Sequence, residues 1–399
     1  MEDIIALEKS LFGSSIGLKT YANLNASVIR EISEGNLSGF VTYNEHLDYY
    51  DIINLGVTKQ LQKQGIASKL LNQIPFNKRV LLEVRSKNHA AIKTYQKNFF
   101  KQITIRKNYY GDDDALIFER AAEITELAYA KVNYLLNVFQ KRADGFHDIE
   151  FIMDKINLAD IVTVHPSHQF KFSFSNHLSD ETIALENNIA YIAYQLLREK
   201  FSIKTTCHIT INKKIPTAAG LGGGSADAAA VLRALNQLWD LQLSNTQLCE
   251  IGLEIGSDVP FCIWSKPMIV RGRGEILMPL PVTIPPRHML IVNCRIPLKT
   301  KTVFENYQQI ETKDINLILN DAPNFYQHCF NSLTKTAVVL EPKISNIIDE
   351  ANQFKVEQIL MSGSGPTVII FDSSLEQLKI VEKKFANRYF TKLIEIGNN

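Results

Sequence analysis

Two runs of residues in this 399-residue chain have the types and spacing to hold an anion. The denser run is Pro216 to Ala226, in which Gly220, Leu221, Gly222, Gly223, Gly224 and Ser225 follow one another with hardly a bulky side chain. Glycine lets the backbone take positive φ and come close to a ligand, so that successive N–H groups converge on one spot. Behind it Ala228, Val231, Leu232, Leu235 and Leu238 recur at helical spacing. The turn therefore opens on a helix N-terminus, whose dipole and unpaired N–H groups attract a phosphate. No Gly-Lys-Ser/Thr closes the run, so it is not a Walker A loop. A tight turn without a ligand is the competing reading. The second run, Gln62 to Ala67 with Gly65 inside it, is a small-residue turn of the same kind and a weaker signal alone.

Each run needs a strand before it and a helix after it. Cys207, Ile209 and Ile211 alternate with polar residues, which predicts a half-buried strand entering the first turn. Upstream of the second turn, Gly39–Tyr43 and Tyr50–Val57 read as strands, and Leu70, Leu71 and Ile74 as the helix that follows. Ile4–Phe12 and Tyr21–Ile32 carry helical apolar spacing.

Composition sets the wider frame. The length favours two or three domains. Apolar residues make up 45% and charged residues 21%, as in ordinary globular proteins, and the net charge is only +1. No global field draws the chain to nucleic acid or to anionic lipid, so a charged ligand must be held by local sites. The five cysteines are scattered and form no CxxC pair, which predicts a reducing compartment and no metal site. The chain begins Met-Glu-Asp and has no long apolar run, so a cytoplasmic protein without membrane attachment is expected.

Around the Gln62–Ala67 turn lie Leu81–Asn88, Ala90–Tyr95 and Arg106–Tyr110 in close order. Together they resemble the GNAT acetyltransferases, and within them the branch that acetylates the N-terminal alanine of a ribosomal protein. The resemblance implies acetyl-CoA as cofactor, with Gln62, Gly65 and Ala67 at its pyrophosphate and Asn88 at its arm. Glu83 would take the amine proton and Tyr95 would protonate the leaving thiolate. A surface carboxylate and a core phenol are the competing roles. Where the family has Gly-Phe this chain has Phe99-Phe100, so a turn that normally uses positive φ must form without glycine.

Further on, Ala130–Asn133 with Arg142–His147, the glycine run, Gly256–Phe261 and Leu360–Pro366 stand in an order that resembles the GHMP kinases. The first pair of blocks resembles the branch that phosphorylates the 2-hydroxyl of a cytidine-diphosphate-linked methylerythritol in non-mevalonate isoprenoid synthesis. The resemblance implies ATP, Mg²⁺ and a base and cation pair, Asp258 and Lys131, with Pro216, Gly220, Leu221, Gly222, Gly223, Gly224, Ser225 and Ala226 around the ATP. Phe146 and Phe304 would sandwich the cytosine and His147 would bond its edge. Asn133, Thr300, Gly363, Ser364 and Gly365 would lie along the remainder of the substrate. Helix capping by Asp258 and an ordinary strand lysine at position 131 are the competing roles. His165 and His168 are expected in a solvated turn, because Pro166 stands between them.

The expected fold class is α+β: a GNAT-type mixed sheet with helices over 1–122, then a two-lobed GHMP kinase fold over 123–399. Its ATP-loop lobe would span about 123–275 and its ferredoxin-like lobe about 276–399. The alternative is another GHMP small-molecule kinase of mevalonate type, with an N-terminal domain that binds acyl-CoA without catalysis. A ribosomal protein or other protein N-terminus is the expected macromolecular partner.

Overall fold

In the computed structural model the described residues are 1–176, 184–308 and 311–396, and all counts of elements refer to these. The chain divides into two compact units, Met1–Glu123 and Ile124–Asn399. In the first, α1 (Glu2–Phe12) and α2 (Leu18–Leu24) lead into β1 (Ser27–Ser33), β2 (Asn36–Glu45) and β3 (Tyr49–Val57). Then come α3 (Ile66–Gln73), β4 (Arg79–Arg85), α4 (His89–Lys97), β5 (Lys101–Arg106) and β6 (Ala115–Arg120). The six strands form one sheet in the order β1-β2-β3-β4-β6-β5. β3 and β4 run parallel and pair over Tyr49–Ile52 and Arg79–Leu82, after which each strand continues unpaired to the other. The sheet splays at that point.

The spacing of Tyr21–Ile32 does not produce one helix. Asn25 takes φ 51 and ends α2, a conformation asparagine tolerates, and Ser27–Ser33 pairs with β2 instead. The β-branched Val28, Ile29 and Ile32 suit that strand better than a helix surface.

The second unit begins with a long antiparallel pair, β7 (Ile124–Lys141) and β8 (His147–Ser167). Then follow β9 (Lys171–Asn176), α5 (Ile189–Lys200), β10 (Thr206–Lys213), α6 (Gly223–Leu238), α7 (Asn245–Ile255), α8 (Val259–Trp264), β11 (Met268–Gly272) and β12 (Ile276–Pro279). β8 is the hub: the order is β12-β11-β8-β10-β9, with β7 also paired to β8. Cys207, Ile209 and Ile211 of β10 are fully buried, as their alternation predicts. The buried face of α6 is rich in alanine, Ala226, Ala228, Ala229 and Ala230, so the helix lies close on β7 and β8.

The remaining elements are β13 (Arg287–Asn293), α9 (Thr300–Glu305), α10 (Asn316–Leu319), β14 (Phe330–Asn331), α11 (Thr334–Leu340), α12 (Lys343–Asn352), β15 (Gln358–Met361), β16 (Thr367–Asp372), α13 (Leu375–Phe385) and β17 (Phe390–Ile396). A four-stranded antiparallel sheet, β15-β16-β13-β17, organises them, except β14, which pairs with β7 in the larger sheet. One apolar cluster joins Leu232 and Leu235 of α6 to Leu290 of β13 and Ile370 of β16, so both lobes share a core.

His165 does not lie in a turn. β8 runs on through Ser167, and His165 pairs with His208 of β10, the two rings 5.1 Å apart. The apolar alternation of β10 recruits Val162 and Val164 into the ladder and carries the strand past Pro166. No helix among the described residues is long and apolar enough to cross a membrane.

Candidate active sites

The glycine run joins β10 to α6. Gly220 and Gly222 take φ 73 and 68, and Gly222 occupies the cap position of α6. The helical ladder starts with Ala226 N donating to Gly222 O. The N–H groups of Gly223, Gly224 and Ser225 therefore have no acceptor within the helix. Side chains would crowd this loop: a Cβ at Gly222 would lie 2.8 Å from Lys131 Cγ, one at Gly223 3.0 Å from Ile215 Cγ2, and one at Gly224 3.3 Å from Ile189 Cδ1. Bare backbone donors at a helix N-terminus make an anion nest that fits a nucleotide triphosphate.

Lys131, on β7, is 4% exposed, and its Nζ donates to Asn133 Oδ1 at 2.7 Å. The same Nζ stands 3.6 Å from Asp258 Oδ2. Asp258 precedes α8 in the cap position, yet its side chain makes no capping bond. Capping therefore does not account for this carboxylate. A buried ammonium at this distance lends positive potential to the carboxylate and to any oxygen bound beside it.

A cleft of about 800 Å³ opens between these groups. It is lined by Lys131, Asp258, Gly220, Gly222 to Ser225, Phe146, His147, Thr300, Phe304, Gly363 and Ser364, and a Cβ at Gly363 would stand 2.7 Å from Gly220 O and 3.1 Å from Lys131 Nζ. Thr300 and Ser364 share a hydroxyl hydrogen bond of 2.9 Å. The His147 ring lies 5.7 Å from that of Phe304 and 6.1 Å from that of Tyr307. Burial, helped by Lys141, lowers the His147 imidazole from its ordinary range, so it is neutral near pH 7. Pro216, Leu221 and Ala226 are buried beneath the glycine loop, behind the cleft wall. Asn133 is also fully buried, with Oδ1 on Lys131 and its Nδ2 without a partner among the described residues. Gly365, at φ 84, packs on Met361 and Leu298 behind the loop it belongs to.

In the first unit the Gln62–Ala67 turn lies between β3 and α3. Gly65 takes φ 86 at the cap of α3, and Gln62 Nε2 donates to Val57 O at 3.1 Å. Ala67 is in the first turn of α3, and the Asn88 carbonyl caps α4 by accepting from Ala91 N at 3.2 Å. Glu83, on β4, accepts from Tyr110 Oη at 2.6 Å and from Arg106 at 3.0 Å. Tyr95, on α4, has its ring edge-on to Phe100 and is 8% exposed. Burial pushes the Tyr95 phenol up to about 12, so it remains protonated at neutral pH. The turn after α4 forms without glycine, as expected: Phe99 itself takes φ 69.

The family model for the GHMP kinases N terminal domain matches residues 188–266, and that for GHMP kinases C terminal matches 307–391. The 4-diphosphocytidyl-2-C-methyl-D-erythritol kinase of Bacillus velezensis is 38% identical over 269 residues, which cover 64% of this chain and 91% of that protein. The chain belongs to this kinase family. Its counterpart in Shouchella clausii is 37% identical over 249 residues, covering 60% of this chain and 83% of that protein. A crystal structure of 4-(cytidine 5'-diphospho)-2C-methyl-D-erythritol kinase is 26% identical, with a TM-score of 0.58, covering 69% of this chain and all of that one (100%). Homoserine kinase from Cytophaga hutchinsonii, at 18% identity and a TM-score of 0.53, shares the fold over 68% of this chain and 94% of that one. The Acetyltransferase (GNAT) family model matches residues 18–99, so the kinase of this chain follows a GNAT domain.

Within the kinase unit, two features carry no sequence signal that we could read. Under the glycine loop, Lys213 is 6% exposed, and its Nζ donates to Asp160 and, at 2.7 Å, to Asp227. Asp160 also accepts from the N–H groups of Lys214 at 2.5 Å and Ile215 at 2.8 Å. Burial, opposed by Lys213, pushes the Asp227 carboxyl up. This network ties β8, β10 and α6 together at the base of the nest. The second feature is the charge on the cleft walls. Among the described residues that line the cleft, Lys131, Lys141, Arg273, Lys299 and Lys301 face only Asp258 and Glu305. Five cations against two carboxylates give a locally positive cleft in a chain of net charge +1.

Proposed function

We propose that residues 124–399 transfer the γ-phosphoryl group of ATP to the 2-hydroxyl of 4-(cytidine 5'-diphospho)-2-C-methyl-D-erythritol. Asp258 takes the proton of the attacking hydroxyl, and that oxygen bonds to the γ-phosphorus as the bond to ADP breaks. Lys131 stabilises the negative charge that gathers on the attacking oxygen and the phosphoryl group. The glycine nest from Gly220 to Ser225 holds the triphosphate in line. Ser225 would help hold an Mg²⁺ ion brought with the nucleotide, and that ion would supply neutralisation of the phosphate charge. The Lys131–Asp258 pair, 3.6 Å apart and lining the same cleft as the nest, is the observation that supports this reading most directly.

On the acceptor side, Phe146 and Phe304 offer aromatic faces to the cytosine and His147 a hydrogen bond to its edge. Its neutral imidazole can donate from one nitrogen and accept at the other. Thr300, Ser364, Lys299 and Lys301 suit the diphosphate and the sugar alcohol.

The first unit, in the same reading, moves an acetyl group from acetyl-CoA to the N-terminal amine of a protein, with a ribosomal protein end as its substrate. Glu83 takes the amine proton and Tyr95 gives one to the departing thiolate. The splay between β3 and β4 beside the Gly65 turn supports a cofactor arm entering there.

Both halves are tested by one set of incubations. The protein is supplied with ATP and Mg²⁺ and offered the cytidylated methylerythritol, mevalonate or homoserine. In parallel it is given acetyl-CoA and a peptide with a free N-terminal alanine. Phosphorylation of the first alcohol alone supports the kinase reading, and turnover of mevalonate instead would replace it. Binding of coenzyme A without acetyl transfer would make the first unit a binding module.

A further inference from the structure

The tip of the β7–β8 hairpin carries Phe146 and His147, and a second hairpin holds it from the side. Arg273 lies in the β11–β12 turn, between Gly272 at φ 75 and Gly274 at φ 118. Its guanidinium carbon sits 3.9 Å from the centroid of the Phe146 ring, over one face. Its Nη1 reaches Asp144 Oδ2, on the same tip as Phe146, at 3.8 Å. Asp144 in turn accepts the Phe146 N–H at 3.1 Å and pairs with Arg142 at 3.2 Å. The turn that carries Arg273 is pressed on the Asp258 segment: a Cβ at Gly274 would lie 2.6 Å from Ser257 O. Arg273 therefore connects the turn that precedes the general base to the Phe146 ring.

Covered on one face, the Phe146 ring is still 48% exposed, so its other face is open. We propose that Arg273 is a substrate-positioning residue of the kinase, which holds Phe146 so that its open face receives the pyrimidine base of the acceptor. The proposal rests on the kinase reading given above. A planar guanidinium suits this role because it stacks on a ring while its edge keeps an ion pair, whereas a lysine ammonium offers charge without a plane. Arg273 acts through Phe146 and takes no part in the proton or phosphoryl transfer.

The test measures initial rates for the whole chain and for Arg273→Ala, Arg273→Lys and Asp144→Asn, with cytidine 5'-diphosphate and inorganic pyrophosphate as competing probes. Both Arg273 variants should raise KM for the cytidylated acceptor by roughly 3- to 30-fold, the range of a partly desolvated stack. KM for ATP should stay within about twofold, because the nucleotide nest is untouched. Asp144→Asn should move KM in the same direction by less. Inhibition by cytidine 5'-diphosphate should weaken in the Arg273 variants, and inhibition by pyrophosphate should not. Equal weakening for both probes, or full rescue by lysine, would show that Arg273 reads charge and overturn the proposal. A parallel rise in KM for ATP would show a general loss of structure and overturn it as well. Failure of the unaltered chain to use the cytidylated acceptor would instead reject the kinase reading itself.

Discussion

The ammonium of Lys131 lies 3.6 Å from the Asp258 carboxylate, and the two come from distant parts of the chain, one in β7 and one at the start of α8. The loop before α6 fixes the lysine, since Lys131 N donates to Leu221 O at 2.9 Å and Gly222 packs along the lysine stem. If Asp258 takes the hydroxyl proton, Asp258→Asn keeps the size of the side chain and removes the base. Turnover should fall by roughly 10²- to 10⁴-fold while the affinity for ATP stays close to that of the unaltered chain. Initial rates and nucleotide binding by calorimetry decide it, and a rate within about threefold of the original removes Asp258 from the chemistry.

Gly222 has no functional group, yet its substitution should damage the reaction. Its φ is 68, and a Cβ there would stand 2.8 Å from Lys131 Cγ. Gly222→Ala therefore strains the loop and displaces the ammonium at once. The expected result is a lower kcat as well as a higher KM for ATP, whereas a defect of the loop alone would raise KM for ATP and spare kcat.

How much of this was legible beforehand varied with the range of the interactions. The glycine nest was readable because its requirement is local: positive φ at Gly220 and Gly222, and a helix directly behind. Pairing Lys131 with Asp258 is a long-range matter, and only the order of the motif blocks hinted at it. Arg273 was invisible, because an arginine between two glycines reads as an exposed turn until Phe146 is seen beneath it. The helix expected through Ile32 failed for a similar reason, since pairing with β2 outweighed the apolar period. Lys213 ends β10, and its burial with Asp160 and Asp227 depends on α6 closing over it.

In the first unit, Glu83→Gln removes the base assigned to the amine while keeping an acceptor for Tyr110 and Arg106. Acetyl transfer to an alanine-ended peptide should drop by about 10²-fold or more, with coenzyme A binding preserved. An unchanged rate would return Glu83 to a structural role in holding Tyr110.

Asp154 gives the kinase unit a pH dependence of known sign. It is 8% exposed on β8, and burial raises its carboxyl to about 7, against about 3.9 for an unfolded aspartate. Between these values the native state holds a proton that the unfolded state has lost, so stability falls as pH rises. The contribution is complete below about pH 4 and is lost as pH passes about 7, at a slope of at most about 1.4 kcal/mol per unit. Asp154→Asn cannot ionise, so its urea midpoint should vary less over this window and exceed that of the unaltered chain at pH 8. Parallel curves for the two proteins would place the titration elsewhere.

Phe99 holds φ 69 directly after α4, a conformation that costs a residue with a Cβ about 1 kcal/mol relative to glycine. Truncation at this position should therefore reverse the usual order. Phe99→Ala loses the ring and keeps the strain, whereas Phe99→Gly loses the ring and relieves it. The glycine variant should be the more stable of the two by about 1 kcal/mol in urea unfolding of the first unit's transition, although glycine gives back part of that difference through its freer unfolded chain. If alanine proves equal or better, the turn has relaxed away from positive φ, and the missing glycine carries no energetic consequence for this domain.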